Sequence, residues 1–114
     1  MIVRNFNDKE VLDTTYIAHR GALARMVLTS HFMEAIEFLA YAILPAGNVI
    51  EKHTDAVEEI YIVFKGKGVM QVGKEKKDVH EGDAIWIPVG ESHSLVNTGN
   101  EELFILVVAA YVKK

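Results

Sequence analysis

The chain contains no cysteine. Disulfides, thiol chemistry and sulfur-ligated metal are therefore excluded. A segment long enough to cross a bilayer is also missing. The longest apolar run, Leu103 to Val112, spans ten residues, about half of what a transmembrane helix needs. The N-terminal MIVRNFNDKEV has neither a long apolar core nor a small-residue cleavage site, so no signal peptide is expected. Basic clusters are lacking too. The net charge is −4, with the lysines and arginines dispersed, which leaves nucleic-acid binding without an electrostatic footprint. A cytoplasmic location, with no membrane and no nucleic-acid partner, is the expectation. Repeats, linkers and low-complexity stretches are absent, as is any capped amphipathic pattern of helix length.

What is present suits one domain. Half of the 114 residues are apolar and a quarter charged, and a chain of this length buries about two-thirds of its unfolded surface. Residues 1–114 read as a single domain, with a core over about 22–112 and an N-terminal arm over 1–21. In that arm Asp8 to Leu12 makes one helical turn at most. Short strands are expected at Ala22–Ser30, Ala35–Leu44, Val49–His53, Glu59–Phe64, Gly68–Val72, Lys76–His80, Ala84–Ile87, His93–Asn97 and Glu102–Val112. The second of these also has helical composition, and its aromatic content and the Pro45-Ala46-Gly47 turn favour a strand. Turn signals separate the rest, among them Lys65-Gly66, Gly73-Lys74, Glu81-Gly82-Asp83 and Val89-Gly90-Glu91. This spacing predicts an all-β sandwich or barrel.

Two stretches carry the chemistry. Gly47 to Gly66 reads GNVIEKHTDAVEEIYIVFKG, and Gly82 to Asn97 reads GDAIWIPVGESHSLVN. Imidazole and carboxylate groups offered from separate strands are what a divalent metal site inside a barrel requires. Alternation along a strand puts Glu51, His53 and Asp55 on one face, and Glu59, Tyr61 and Val63 on another. His93, Leu95 and Asn97 line up in the same way. Burying one face of each strand would bring His53, Glu59 and His93 together.

These stretches resemble the paired signature of the cupin superfamily. Gly47, His53, Glu59 and Gly66 match the first motif, and Gly82, Pro88, Gly90, His93 and Asn97 the second. Asp55 is the one departure, standing where a second histidine is expected. The resemblance implies a double-stranded β-helix, or jelly roll, built as a barrel of two antiparallel sheets. It also implies one divalent metal ion (Mn, Fe, Ni or Zn) held by His53, Asp55, Glu59 and His93, and a homodimer. Asp55 either ligates directly, acts through water, leaves a position for substrate, or marks a barrel that has lost its metal.

Other residues are weighed against ordinary roles. Glu51 is a reserve ligand, and Tyr61 and Gln71 are candidates for a ligand pocket, with core packing or solvent exposure as their alternatives. Glu58, Ile62 and Trp86 have the opposite parity. The latter two suit a face that packs on a second subunit. His19, His31 and His80 lie outside both motifs, and the surface is expected for His31 and His80. Arg20 and Arg25 could anchor a carboxylate, but strand-edge or surface roles are favoured. Asn97 is expected to brace a turn.

The functional expectation is a metal-binding cupin that acts on or binds a small polar organic molecule. Its reaction type (dioxygenase, decarboxylase, isomerase or lyase) is left open by the residues. The competing account is a non-catalytic ligand-binding or sensing cupin with a degenerate metal site.

Overall fold

The computed structural model describes residues 1–112. Lys113 and Lys114, included in the single domain read from the sequence, lie outside the described residues. A single helical turn, α1 (Lys9–Leu12), precedes ten strands. They are β1 (Tyr16–Ala18), β2 (Ala22–Thr29), β3 (Ile36–Leu44), β4 (Val49–His53), β5 (Glu58–Lys65), β6 (Lys67–Val72), β7 (Glu75–His80), β8 (Ala84–Ile87), β9 (His93–Val96) and β10 (Leu103–Ala110).

The strands form two antiparallel sheets, as in a jelly roll. One has the order β1-β2-β3-β10-β5-β8 and the other β4-β9-β6-β7. Alternation decides which side chains enter the space between them. Along β10, Leu103, Ile105, Val107 and Ala109 are buried while their neighbours are only partly so. Along β5, Glu59, Tyr61 and Val63 are the buried set. The core so formed is dominated by Leu44, Ile87, Leu95, Leu103 and Ile105.

The continuous apolar runs of β3 and β10 have a second cause. The N-terminal arm lies over the outside of the larger sheet, where Val11 packs with Val27 and Tyr41, and Phe6, Leu39, Phe104 and Leu106 close around them. Arg25 donates to the Tyr41 hydroxyl at 2.9 Å, and that hydroxyl donates to the Phe6 carbonyl at 3.3 Å. Strands covered on both faces lose the polar half of their alternation, which explains the helix-like composition of β3. The arm is thus packed against the barrel, and its β1 pairs with β2 as an edge strand.

Turns fix how the sheets face each other. Gly66 has φ 93°, and a Cβ there would stand 2.8 Å from the Glu102 carbonyl oxygen, so both backbone and space call for glycine. Asn97, almost fully buried, donates to the carbonyls of Leu44 and Glu101 at 2.9 and 2.8 Å and accepts from the Gly99 amide. Its amide therefore ties the end of β9 to the end of β3.

Candidate metal centre

His53 and His93 stand directly opposite each other across the β4–β9 pair. Their rings lie 4.1 Å apart between centroids. Glu59 comes from β5 of the facing sheet, with its carboxylate 3.4 Å from His93 Nε2. Asp55 comes from the loop after β4, and one of its oxygens lies 3.2 Å from His53 Nε2 and 3.4 Å from His93 Nε2. The Gly90 amide holds that loop by donating to the Asp55 carbonyl at 3.0 Å, which links the two sequence motifs in space.

Tautomers follow from the backbone. His53 Nδ1 lies 2.8 Å from the Glu51 carbonyl and His93 Nδ1 lies 3.0 Å from the Glu91 carbonyl. A carbonyl oxygen only accepts, so each Nδ1 carries the proton and donates. Each Nε2 is left as a bare lone pair aimed at the others, which is the arrangement of metal-binding imidazoles. His53 Nε2, His93 Nε2 and Glu59 Oε1 are buried and have no hydrogen-bond partner. An orphaned buried polar atom costs on the order of 1–3 kcal/mol, and three converging on one point suit a shared cation. All four donor atoms lie within 4.8 Å of one another. An ion bound at about 2.0–2.2 Å by each donor sets neighbouring donors about 3–4 Å apart. The residues present fit a divalent cation.

Charges respond to this crowding. Burial raises the pKa of Glu59, and the neighbouring Asp55 carboxylate raises it further. Burial also pushes Asp55 upward, but its hydrogen bond with Glu59 and the nearby histidines outweigh that, and the net shift is downward. Burial lowers the His93 pKa, yet the adjacent Glu59 carboxylate and the carbonyl of Glu91 reverse the sign and leave it raised. Both shifts are upward, so protons compete with a cation for Glu59 and His93.

Beside the four residues lies a cavity of about 380 Å³. Its wall is mostly small and apolar, with Ala22, Ala24, Ala40 and Ala42 on the larger sheet and Ile105 and Val107 between. Asp55, Glu59 and Tyr61 stand at its polar end. Tyr61 meets the His93 ring edge-on at 5.9 Å, and burial keeps its phenol protonated.

Not every expected pocket residue is there. Glu51 points outward, its carboxylate 3.9 Å from Arg20 and largely in solvent. The cause is a bulge in β4: Ile50 opposes Leu95 and His53 opposes His93, so three steps on β4 match two on β9. The extra residue shifts the parity, turning Ile50 and His53 both inward and Glu51 out. Gln71 lies on the outer side of the smaller sheet beside Lys76 and Ser94, donating to the Gly73 carbonyl at 3.1 Å. Glu58 is exposed and accepts from Trp86 Nε1 at 2.7 Å.

His19 and Tyr16, by contrast, line the cavity, and neither was singled out as a site residue from sequence. The His19 ring stacks on His53 with centroids 3.4 Å apart and planes 14° from parallel. Burial beside His53 lowers its pKa. His19 and Arg20 both have positive φ, 47° and 65°, a conformation that non-glycine residues rarely adopt. The turn is pressed onto β4, where a Cβ on Gly21 would stand 1.8 Å from the Val49 carbonyl oxygen. The sequence signal was only His-Arg-Gly before a strand, which marks a turn and not what the turn touches.

Fold and site together meet their counterparts among known proteins. The chain belongs to the cupin family, whose cupin-domain model matches residues 40–109. An uncharacterized protein of Methanocaldococcus jannaschii is 37% identical over 94 residues, which are 80% of this chain and 74% of that protein. An oxalate-binding protein of Thermotoga maritima is 38% identical over 66 residues, 57% of this chain and 54% of its own. A solved structure from Thermotoga maritima, described as a predicted oxalate decarboxylase, has a TM-score of 0.75 at 27% identity, covering 97% of this chain and all of that one. A Cupin 2 conserved barrel domain protein from Salinispora arenicola reaches 0.78 at 18% identity, covering 96% and 88% of the two chains, a likeness of fold alone.

Proposed function

We propose that this cupin holds one divalent ion (Mn, Fe, Ni or Zn) on His53, Asp55, Glu59 and His93, and binds a small carboxylate-bearing molecule in the adjoining cavity. The observation that carries this reading is the convergence of orphaned, buried donor atoms at one point. The oxalate-binding relative supports the choice of a carboxylate ligand. When bound, the ion supplies Lewis-acid polarisation of a ligand oxygen. The protein's own part is to set donor directions through the two Nδ1–carbonyl bonds, to exclude water with the alanine and isoleucine wall, and to offer the protonated Tyr61 hydroxyl as a donor.

Turnover belongs to this reading as decarboxylase or dioxygenase chemistry on the bound acid. Binding without turnover is the second account. It is favoured by the position of both Asp55 and Glu59 within 3.2–3.4 Å of the histidines, where both serve as donors to the ion and neither is free as a general base. As part of the same proposal, the chain works in the cytoplasm as a homodimer through the outer face of β5 and β8. There Ile60, Phe64 and Trp86 are 40%, 56% and 61% exposed, apolar area of the kind that partners cover.

Metal content by mass spectrometry on protein purified without tag or chelator tests the centre, alongside an Asp55→His variant. Near one ion per chain in the parent is the expected result. Failure of both proteins to fill would overturn the ligand set. Oxalate titration of the filled protein, with carbon dioxide and dioxygen followed in parallel, then separates turnover from binding.

A further inference from the structure

The cavity has a second polar pole that the metal centre does not use. Glu37 lines it from β3, and its Oε2 is buried with no hydrogen-bond partner. A bulge accounts for its placement. On β10, Ala109 opposes Phe38 and Ala110 opposes Ile36, so Glu37 is the unpaired extra residue. Bulges re-aim side chains in this way beside sites. Strict alternation would have sent Glu37 outward with Leu39 and Tyr41.

The surroundings define what Glu37 can take. A carboxylate accepts and does not donate. Among the described residues no lysine or arginine lines the cavity, whereas Glu37, Asp55 and Glu59 all do. A divalent ion offsets Asp55 and Glu59 and leaves Glu37 as the unbalanced negative group. Its separation from the metal centre is set by the sheet. Ala109 faces Phe38 on one side and Glu59 on the other, which places Glu37 two strand spacings from Glu59, about 10 Å. Between the poles the wall is apolar: Ala24, Ala40, Ala42 and Val107.

Resting on the proposed function, this arrangement narrows its ligand. We propose that Glu37 is a second anchor, and that the cavity takes a short apolar chain with a carboxylate head at the metal centre and an ammonium at Glu37. A compact dicarboxylate sits at the metal centre alone and leaves Glu37 without a partner. A plain fatty acid leaves the buried Glu37 Oε2 unpaired. The amine-bearing acid satisfies both poles, and charge-assisted hydrogen bonds are the stronger kind.

The test uses the full chain loaded with Mn(II), titrated calorimetrically with 6-aminohexanoate and with hexanoate. The amino acid should bind about tenfold more tightly. Glu37→Gln should bring that ratio near one while leaving metal content and the melting curve unchanged. Equal binding of the two probes, no binding of either, or a preference that survives Glu37→Gln overturns the anchor. Because the preference is read on the unmodified chain, a poorly folded variant does not remove the test. Metal content is measured on the same batch. An empty metal centre with a Glu37-dependent preference supports the anchor while sinking the metal reading. A filled centre without preference does the reverse.

Discussion

Two concave regions of the barrel invite comparison. The cavity between the sheets has a volume of about 380 Å³, and a cleft along the edge strands β7 and β8 is larger, about 600 Å³. Both lie near an imidazole–carboxylate contact of similar length, His93–Glu59 at 3.4 Å inside and His80–Asp83 at 3.3 Å outside. The resemblance ends there. The cleft is lined by Lys74, Lys77, Asp78 and Trp86, charges that water already solvates. Asp83 has a local task too, accepting from the His80 amide at 2.8 Å. The buried polar atoms without partners among the described residues belong to Glu37, His53, Glu59 and His93, and none of these residues lines the cleft. Neither volume nor proximity marks the site; dry, unpartnered donors do.

The sharpest way to break this contrast is to remove one imidazole from each region. His93→Ala should empty the metal centre, with affinity falling by more than the roughly 10–100-fold that loss of an outer partner brings. His80→Ala should leave metal content unchanged. Mass spectrometry reads both, and equal loss in the two variants would erase the distinction.

Stability offers a second, smaller difference. Leu95, on the same side of β9 as His93, is 0% exposed, while Lys77 in the cleft is exposed. Leu95→Ala should cost about 2–5 kcal/mol through the cavity it leaves. Lys77→Ala should stay within about 0.5 kcal/mol. Urea denaturation of both variants measures the gap.

The gentlest probe is pH. Glu59 and His93 both have raised pKa values, so protons compete with the ion to higher pH than ordinary side chains would allow. Deprotonation favours the ion, so affinity should climb as pH rises from the acid side through and beyond 6.5, the ordinary histidine value. Each displaced proton contributes up to about tenfold per pH unit. The emission of Trp86, the sole tryptophan, should stay flat as metal is added, because the residue lies in the other region. A shift on metal addition would place the ion in the cleft instead.

The architecture was largely readable in advance because its determinants are local. Alternation along β5 and β9 names their inner faces correctly, and glycine and proline mark the turns between the strands. The spacing of His53, Asp55, Glu59 and His93 within two motifs was also visible, and the fold draws these four into one group. Glu51 was misplaced by the same logic. Parity carries a side chain's direction only while every residue is paired, and the bulge in β4 breaks the count.

Composition, turn chemistry and period two are properties of neighbouring residues, so the chain alone determined an all-β barrel, the boundaries of β2 to β10 to within a residue or two, and a converging set of His53, Glu59 and His93, while β1 was missed. Contacts between distant segments have no such local record. The fold decided that His19 stacks on His53, that bulges in β4 and β3 turn Glu51 out and bring Glu37 to the cavity, and that the N-terminal arm packs on the outer face of β2, β3 and β10. Each depends on which backbones meet and in what register, and a single extra residue in a strand reverses the face of everything beyond it.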